Sequence, residues 1–456
     1  MTIFDHQRLS NDTFNIDIES IRRGRYSDKY FVNSQNLLTA LATSNYRYKG
    51  LFHRDIGQET SNIDLGNQIV EMQIFTRRRG PTVVVGIDKA LTVLRYCTGY
   101  FEGEKFMETF KQLDVRAIHD GAIVDYPPKD SVLEDNPQFV QPVMKICGPY
   151  RCFAQLETPI LGMLSRSSRI ATNVYQTLVA ARGKPILFLP ARFDAHENQA
   201  ADGYAYNIAI QRFNYDYGKT VLPFICTEAQ GDYWGGKPGA TMPHAIIACF
   251  LGDVAATMLA LASFLPVEAH RIALVDFNNN SVQDSLYTLD AMFNRFKELV
   301  EIGNEDESRK YILFGIRLDT SRSLRDDNIQ PLGDPELDLG VNPRLVCTVR
   351  EALNQAWERW NLPNGRLKSM AQEYCRNVKI IVSGGFNPKK IRHFEQLGVP
   401  VDYYGVGSTL MSNDSVTNTN NDFTADVVRI QIQGKWVNMA KIGRCSCDNI
   451  ELEPVV

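Results

Sequence analysis

Residues 378–408 read VKIIVSGGFNPKKIRHFEQLGVPVDYYGVGS, and the prediction of the fold rests on this segment. Two apolar runs, 378–382 and 401–406, predict buried strands, and a glycine-containing loop follows each of them directly. Pro388 lies where proline is preferred, in the first turn of a helix. The segment therefore predicts a strand–helix–strand unit whose two loops lie at the same edge of a parallel sheet.

The same alternation of strands and helices extends toward the N-terminus. Earlier candidate strands are 186–189, 220–226, 272–277 and 312–318, and helix-like stretches cover 284–302, 345–360 and 388–397. An open doubly wound sheet and a closed or irregular barrel both fit this pattern. Barrels frequently build a phosphate site from the loops after their last two strands, so the position of the glycine loops favours the barrel.

Changes of pattern along the chain predict three parts. Residues 1–150 mix short strand-like runs with helices and predict an N-terminal α+β domain, and 151–412 predict the barrel. The last part, 413–456, begins with a polar run without apolar periodicity, 413–422, and then carries a hairpin pattern around Gly434-Lys435. The predicted fold class is α/β: an irregular α/β barrel with an N-terminal α+β domain, completed by the C-terminal hairpin that packs on it.

Composition excludes several classes of protein. Of the 456 residues, 44% are hydrophobic and 22% charged, as in ordinary globular chains, and the net charge of -4 gives no reason to expect nucleic acid as a partner. The longest apolar stretch, 245–266, contains Asp253 and has no flanking basic cluster, so we predict a buried helix and no membrane association. Residues 1–10 lack an apolar block, which predicts a cytoplasmic location.

The nine cysteines are irregularly spaced, which indicates reduced thiols. Cys445 and Cys447 are close together, but no second pair and no histidine lies near them in the sequence. We therefore predict an exposed tail here rather than a zinc site, and no metal held by protein ligands alone.

Both glycine loops have the composition of a phosphate-binding loop. Backbone N–H groups ahead of a helix, with no side chains in the way, form a natural cradle for an anion, although glycine after a strand is often only a turn. The candidate binding residues are Ser383, Gly384, Gly385, Gly405, Gly407 and Ser408.

Charged side chains follow several of the predicted strands. Arg317 and Asp319 project from one face of a strand end, where the arginine can grip phosphate and the aspartate can bind ribose hydroxyls or magnesium. A surface ion pair is the alternative. Asp276 is a similar strand-end carboxylate, and Arg192 suits a carboxylate or pyrophosphate. His244 directly precedes the apolar stretch, and it is either a site residue or a core or capping histidine.

In order along the chain, these segments resemble the nicotinate phosphoribosyltransferases, the type II family that also includes nicotinamide and quinolinate phosphoribosyltransferases. The resemblance runs from the segment of Tyr46 to Gly443. Thr241-Met242-Pro243-His244 is similar to the segment whose histidine that family phosphorylates with ATP, and 317–321 is similar to its Arg-x-Asp-Ser-Gly strand end. The two glycine loops and the hairpin segment 423–443 also match the family's pattern.

The resemblance implies an activity: formation of nicotinate mononucleotide and pyrophosphate from nicotinate and phosphoribosyl pyrophosphate, in NAD salvage. ATP would be coupled through a phosphohistidine at His244, which Asp276 could orient, and Mg²⁺ would neutralise pyrophosphate. The family further implies a homodimer with shared active sites. Tyr46 would then stack on the pyridine ring, Arg78 would reach pyrophosphate across the interface, and Arg192 would bind the base carboxylate or pyrophosphate.

Two kinds of alternative remain at this point. Nicotinamide or quinolinate is the nearest rival substrate, and quinolinate would require a second basic clamp for its extra carboxylate. A non-catalytic nucleotide-binding protein that keeps the phosphate loops is the rival from another class. The joint presence of His244, Arg317 and Asp319 argues against the second alternative.

Overall fold

The structure is a computed structural model and describes residues 8–48, 62–126, 139–239, 241–363 and 365–455. Its strands are β1 Ile69–Thr76, β2 Thr82–Val83, β3 Gly99–Glu102, β4 Lys105–Glu108, β5 Asp114–Ala117, β6 Ile123–Val124, β7 Met144–Pro149, β8 Ile186–Phe188, β9 Phe224–Ile225, β10 Ile272–Leu274, β11 Gly315–Leu318, β12 Lys379–Val382, β13 Tyr403–Val406, β14 Phe423–Ile432, β15 Lys435–Asn438 and β16 Glu453–Pro454. Its α-helices are α1 Ile18–Arg22, α2 Lys29–Thr43, α3 Ile87–Cys97, α4 Glu157–Ala180, α5 Gln199–Tyr217, α6 His244–Cys249, α7 Val254–Phe264, α8 Ser281–Glu301, α9 Glu305–Ser308, α10 Pro335–Asp338, α11 Pro343–Gln355, α12 Arg366–Asn377 and α13 Pro388–Gln396.

The chain divides into two compact units. Unit 1 comprises Met1–Tyr175, Ala205–Asp216 and Ser412–Val456, and unit 2 comprises Gln176–Tyr204 and Tyr217–Met411. The sequence predicts a first boundary near residue 150, whereas the first division lies inside α4. α4 continues without a break past Tyr175, so its residues belong to both units.

Unit 1 is built on an antiparallel sheet in the order β15-β14-β1-β7-β5-β16. β14 pairs along β1, with Phe75 opposite Thr424, so the C-terminal hairpin extends a sheet of the N-terminal part. The hairpin turns at Gln433 and Gly434, whose φ angles of 49° and 80° suit a two-residue turn; the turn therefore lies one residue earlier than predicted. The hairpin completes the N-terminal domain, as the sequence predicts.

The C-terminal segment after the hairpin differs from its prediction. Cys447 is only 8% exposed and packs with Phe75 and Val140, and its N–H donates to Oε1 of Gln73 at 3.0 Å. The prediction of an exposed tail is wrong, because strand β1, far away in sequence, supplies the partners of this segment. The sulfur atoms of Cys445 and Cys447 lie 3.7 Å apart.

Unit 2 contains a parallel sheet in the order β10-β11-β12-β13-β8-β9. Its first and last strands in sequence, β8 and β13, pair with Phe188 opposite Val406. Strands that follow one another around a ring must pair first with last, whereas an open sheet in sequence order would leave them at opposite edges. In the described part of the chain the ladder stops between β9 and β10, so the predicted irregular barrel is confirmed as a curled half-barrel.

Alternate strands of the half-barrel supply one buried apolar cluster. Leu187 of β8, Ile272 of β10 and Ile381 of β12 are almost completely buried and form one cluster, against which Phe314 and Tyr403 pack. Barrel interiors are filled in layers that alternate strands supply, and this cluster follows that rule.

The apolar stretch 245–266 forms two helices instead of the single buried helix predicted. α6 ends before Leu251, which takes a left-handed φ of 59° and is 96% exposed. Asp253 then caps α7 by accepting a hydrogen bond from the N–H of Ala256 at 2.8 Å. No helix in the described ranges combines the length and apolarity needed to cross a membrane.

We predict that Gly315→Ala destabilises unit 2. A Cβ at Gly315 would lie 2.6 Å from Cδ1 of Ile381 and 2.8 Å from the carbonyl oxygen of Lys379, so β11 and β12 would have to separate. The free energy of unfolding, measured with urea, should fall by about 1–3 kcal/mol.

The contrasting variant is Gly162→Ala in α4, where a Cβ would meet no atom within 4 Å. This variant should be more stable by about 0.5–1 kcal/mol, because alanine loses less backbone entropy than glycine in a helix. A loss of stability of the same size in both variants would show that the packing of Ile381 does not require the glycine.

Candidate functional site

The site is built from residues that follow the parallel strands of unit 2. Arg192 follows β8, Asp276 follows β10, Asp319 follows β11, Ser383 follows β12 and Gly407 follows β13. Because the strands are parallel, their carboxyl ends meet at one edge, which in curled sheets carries the functional loops. We call this edge the carboxyl edge.

The two glycine loops lie against each other at the carboxyl edge. A Cβ at Gly405 would lie 3.1 Å from Cβ of Ser383, and Oγ1 of Thr409 donates to the carbonyl of Phe386 at 3.0 Å. Gly384 has a φ of 86°, which glycine adopts without strain. Within the described residues, none of the following backbone N–H groups has a hydrogen-bond acceptor: Gly384, Gly385, Gly407 and Ser408. Unpaired amides on adjacent loops are the donors that a phosphate group requires.

Asp319 is held by the first glycine loop. Oγ of Ser383 donates to its Oδ1 at 2.8 Å, while its Oδ2 lies 3.9 Å from Nη2 of Arg317. The two carboxylate oxygens of Asp319 therefore face different partners, and this side chain separates the loop from the arginine.

Arg317 is a partly buried cation with unused donors. Its Nη1 donates to Oγ1 of Thr241 at 2.7 Å, whereas its buried Nε has no partner. Burial lowers the pKa of Arg317, the carboxylates of Asp319 and Asp276 oppose this effect, and the positive charge of Arg192 adds to it. Four charged groups of both signs thus act on one another at the carboxyl edge.

His244 and Asp276 form a pair at the same edge. Nε2 of His244 lies 3.1 Å from both carboxylate oxygens of Asp276. The histidine side chain is 46% exposed and the aspartate side chain 8%. Burial raises the pKa of Asp276, His244 opposes the rise, and the charge of Asp319 adds to it. Nδ1 of His244 has no hydrogen-bond partner in the described part of the chain.

Arg192 is exposed beside the second glycine loop. Its guanidinium carbon lies 5.4 Å from the ring centroid of Phe193. Phe193 packs closely on Gly407, where an added Cβ would lie 2.6 Å from the aromatic ring. Close approach of this ring is a second reason for glycine in the loop.

Two of the predicted site residues, Tyr46 and Arg78, belong to unit 1. Tyr46 follows α2 and is 42% exposed. Arg78 is buried, and its Nη2 donates to Oδ1 of Asn173 at 3.1 Å. Burial and the charge of Arg169 lower the pKa of Arg78 to about 10. The role of Arg78 at pyrophosphate stays a prediction, since its guanidinium is buried and bound to Asn173.

Sequence reasoning missed two basic residues beside the first glycine loop. Nη2 of Arg322 donates to the carbonyl of Gly385 at 2.8 Å, and Lys390 lies in the first turn of α13. The available signal was their position, since Arg322 follows the strand-end motif 317–321 and Lys390 follows the loop.

Comparison with known proteins finds chains with a similar fold. The family model described as the N-terminal domain of quinolinate phosphoribosyl transferase matches residues 55–168. The solved structure of nicotinate-nucleotide pyrophosphorylase from Pyrococcus furiosus is similar, with a TM-score of 0.62 and 22% identity, over 95% of this chain and 81% of that one. Human nicotinic acid phosphoribosyltransferase is similar with a TM-score of 0.54 and 15% identity, over 90% of this chain and 76% of that one. No curated protein sequence matches the chain.

These likenesses show the fold of the chain, which is that of the type II phosphoribosyltransferases. The match of the N-terminal domain model adds a relation in sequence. The predicted resemblance is therefore confirmed: residues 55–168 match the N-terminal domain model of quinolinate phosphoribosyl transferase, and the fold is that of the phosphoribosyltransferases named above.

We predict a pH-dependent effect of Asp276→Asn on stability. The folded-state pKa of Asp276 is raised above its usual value of 3.8, so above that pH the folded protein binds more protons than the unfolded chain. Stability then decreases as pH rises. The free energy of unfolding of the wild type, relative to the variant, should decrease as pH rises above 3.8.

Urea unfolding at several pH values measures this difference. The same substitution in a His244→Ala background should give a larger effect, since His244 is the group that opposes the rise in pKa. A difference that stays constant with pH, or that moves in favour of the wild type, contradicts the assigned burial effect.

Proposed function

We propose that the chain is a nicotinate phosphoribosyltransferase, which forms nicotinate mononucleotide and pyrophosphate from nicotinate and phosphoribosyl pyrophosphate in NAD salvage. One observation carries the proposal. The unpaired amides of two adjacent loops, the carboxylate of Asp319 and the pair of His244 with Asp276 converge at the carboxyl edge of one sheet. Phosphates, a ribose and a reacting anomeric carbon require this combination of donors and carboxylate.

In the proposed reaction the pyridine nitrogen attacks the anomeric carbon as pyrophosphate leaves. Positive charge develops on the sugar, so a fixed carboxylate near the ribose stabilises the transition state. Asp319 suits this role because Ser383 orients one of its oxygens. Arg317 and Arg192 supply positive charge for the leaving pyrophosphate or the base carboxylate, and positioning accounts for much of the remaining rate.

Mg²⁺ would be bound mainly through the substrate in this proposal. The described residues contain no group of three or more His, Cys, Asp or Glu side chains arranged to hold a metal. Asp319 and Asp276 offer two carboxylates at one edge, and Mg²⁺ typically combines one or two carboxylates with substrate phosphates. The ion would neutralise charge on pyrophosphate.

His244 is the proposed acceptor of a phosphoryl group from ATP. A proton on Nε2, donated toward Asp276, leaves the lone pair on Nδ1, and this nitrogen has no other partner in the described residues. A partly exposed ring nitrogen with its lone pair free is a suitable nucleophile.

The proposal also includes a cytoplasmic homodimer in which each subunit completes the site of the other. Tyr46 of the partner subunit would stack on the pyridine ring and Arg78 of the partner subunit would contact pyrophosphate. The exposure of Tyr46 supports the stacking role.

Quinolinate is the second candidate substrate, because the matching family model is that of a quinolinate phosphoribosyl transferase domain. Its two carboxylates would need two cations beside the pyrophosphate. Nη1 of Arg317 already donates a hydrogen bond to Thr241. Arg192 is the arginine whose positive charge lowers the pKa of Arg317 at this edge. The two candidate substrates therefore differ in the number of cations that the base must meet, and the assay with each base tests this difference.

We predict release of pyrophosphate with nicotinate, at a higher kcat/KM than with nicotinamide or quinolinate. Asp319→Asn should lower kcat by about 10²-fold or more, because it removes charge stabilisation of the sugar. A coupled pyrophosphate assay with each base, with and without ATP, measures both effects. If another base gives a higher kcat/KM, that base replaces nicotinate as the proposed substrate. If no base gives release of pyrophosphate, the result supports the non-catalytic alternative.

We predict that His244→Ala abolishes the stimulation by ATP and any acid-labile phosphoprotein, since it removes the proposed acceptor. The matched control is His196→Ala, because His196 is an exposed histidine that pairs with Glu197. Labelling with γ-³²P ATP and the pyrophosphate assay provide the measurements. Unchanged labelling of His244→Ala would assign the phosphoryl group to another residue.

A further inference from the structure

The face of the unit 1 sheet that points away from its hydrophobic core carries a cavity of about 620 Å³. Strands β1, β5, β7, β14 and β15 supply part of the lining, and residues 448–450 and Leu452 of the C-terminal segment supply the rest. This volume suits a small organic molecule rather than a single ion. Every lining residue belongs to unit 1, so the cavity shares no residue with the carboxyl edge.

One ion pair of the cavity is complete in itself. Both carboxylate oxygens of Glu71 accept hydrogen bonds from Arg429, and Oε1 also accepts one from Oγ of Ser446 at 2.5 Å. Burial acts to raise the pKa of Glu71, but these hydrogen bonds and the charges of Lys145 and Arg429 lower it. The carboxylate of Glu71 is therefore charged and already paired.

Two further cations of the cavity lie directly opposite each other on neighbouring strands. Arg116 of β5 pairs in register with Lys145 of β7, and like charges in this position repel. Among the described residues, Arg116 has one carboxylate nearby, that of Asp114, whose Oδ1 lies 3.9 Å from its Nε. This distance is too long for a hydrogen bond. The guanidinium of Arg116 therefore keeps donors for a ligand.

Lys145 is bound to a carboxylate that a ligand can replace. Its Nζ lies 2.6 Å from Oδ1 of Asp448 and 3.8 Å from Oε1 of Glu71. The side chain of Lys145 is 8% exposed, whereas that of Asp448 is 95% exposed. The hydrogen bond from Lys145 and the charges of Lys145, Arg429 and Arg116 lower the pKa of Asp448. The carboxylate of Asp448 thus marks a position at which the protein stabilises an anion.

The other end of the cavity is aromatic. Trp436 of β15 is partly exposed, and the guanidinium carbon of Arg429 lies 5.3 Å from its ring centroid. In the sheet order β15 is three strands away from β7, which corresponds to about 14 Å at about 4.8 Å per strand. A ligand that contacts both Lys145 and Trp436 must therefore be elongated, with an anion at one end and a ring at the other.

We propose that this cavity binds a mononucleotide, whose phosphate lies between Arg116 and Lys145 and whose base stacks on Trp436. A phosphate monoester carries close to two negative charges, which matches two cations better than a single carboxylate does. An indole ring accepts any base by stacking, because every base has a π face. The phosphate takes the place of Asp448 at Lys145. This site is separate from the reaction proposed for the carboxyl edge and does not depend on it.

Isothermal titration calorimetry of the full chain tests the site with two probes, AMP and adenosine. Arg116→Gln should weaken the binding of AMP about 10–100-fold, because it removes a charge-assisted contact with the phosphate. Trp436→Leu should weaken AMP by about 10-fold or more, because it removes the stacking surface. Adenosine lacks the phosphate, so its affinity should fall in Trp436→Leu and stay unchanged in Arg116→Gln.

Asp448→Asn should act in the opposite direction and strengthen AMP by about 2–5-fold, because the phosphate no longer competes with a carboxylate for Lys145. A gain of affinity cannot result from misfolding. Arg23→Gln is the matched control for Arg116→Gln, since Arg23 is also a half-exposed arginine of unit 1 near one carboxylate, that of Glu19. This control should leave both affinities unchanged.

The proposal is overturned if AMP does not bind, or if it binds equally well to the wild type, Arg116→Gln and Trp436→Leu. It is also overturned if Arg23→Gln weakens AMP as much as Arg116→Gln does. Because calorimetry requires no turnover, the result is independent of whether the chain releases pyrophosphate. Failure of this site and failure of the proposed enzymatic function are therefore distinguishable.

Discussion

The pairing of β8 with β13 is the constraint on which the site depends. This ladder joins the first and last strands of the parallel sheet and curls it, so that their carboxyl ends become neighbours. The loop after β8 then meets the loop after β13, as the packing of Phe193 on Gly407 shows. In an open sheet of the same strands in sequence order, Arg192 would lie at the edge farthest from the glycine loops, and the charges would not converge.

The convergence of the strand ends brings charged groups into a partly buried place, where each of them alone would carry a desolvation cost. Burial raises the pKa of Asp276, an effect that His244 opposes, and lowers that of Arg317, an effect that Asp319 and Asp276 oppose. Such mutual compensation is typical of functional sites, in which the folded state accepts a desolvation cost in exchange for fixed charges. Lys390 differs, because burial lowers its pKa and the positive charge of Arg322 lowers it further.

Local patterns predicted the parallel strands, the glycine loops and the C-terminal hairpin, because apolar runs and turn residues act over a few neighbours. They did not predict the break at Leu251, since the residues around it are all compatible with a helix, nor the burial of Cys447, which depends on distant Gln73. In the site, the residue types of Asp319 and His244 were recognisable. Arg322 and Lys390 were not, because basic residues in a loop and in a first helical turn are usually solvated.

The segment from Thr241 to His244 joins the two functions proposed for the carboxyl edge. Thr241 accepts a hydrogen bond from Arg317, and His244, at the start of α6, pairs with Asp276. In the proposed ATP-coupled cycle, a phosphoryl group on His244 would add negative charge beside Asp276, and the two anions would repel. In this cycle, the short connection would pass a displacement of the histidine to the hydroxyl that accepts the hydrogen bond of Arg317. Phosphorylation would in this way change how the edge holds pyrophosphate, without any change in the glycine loops.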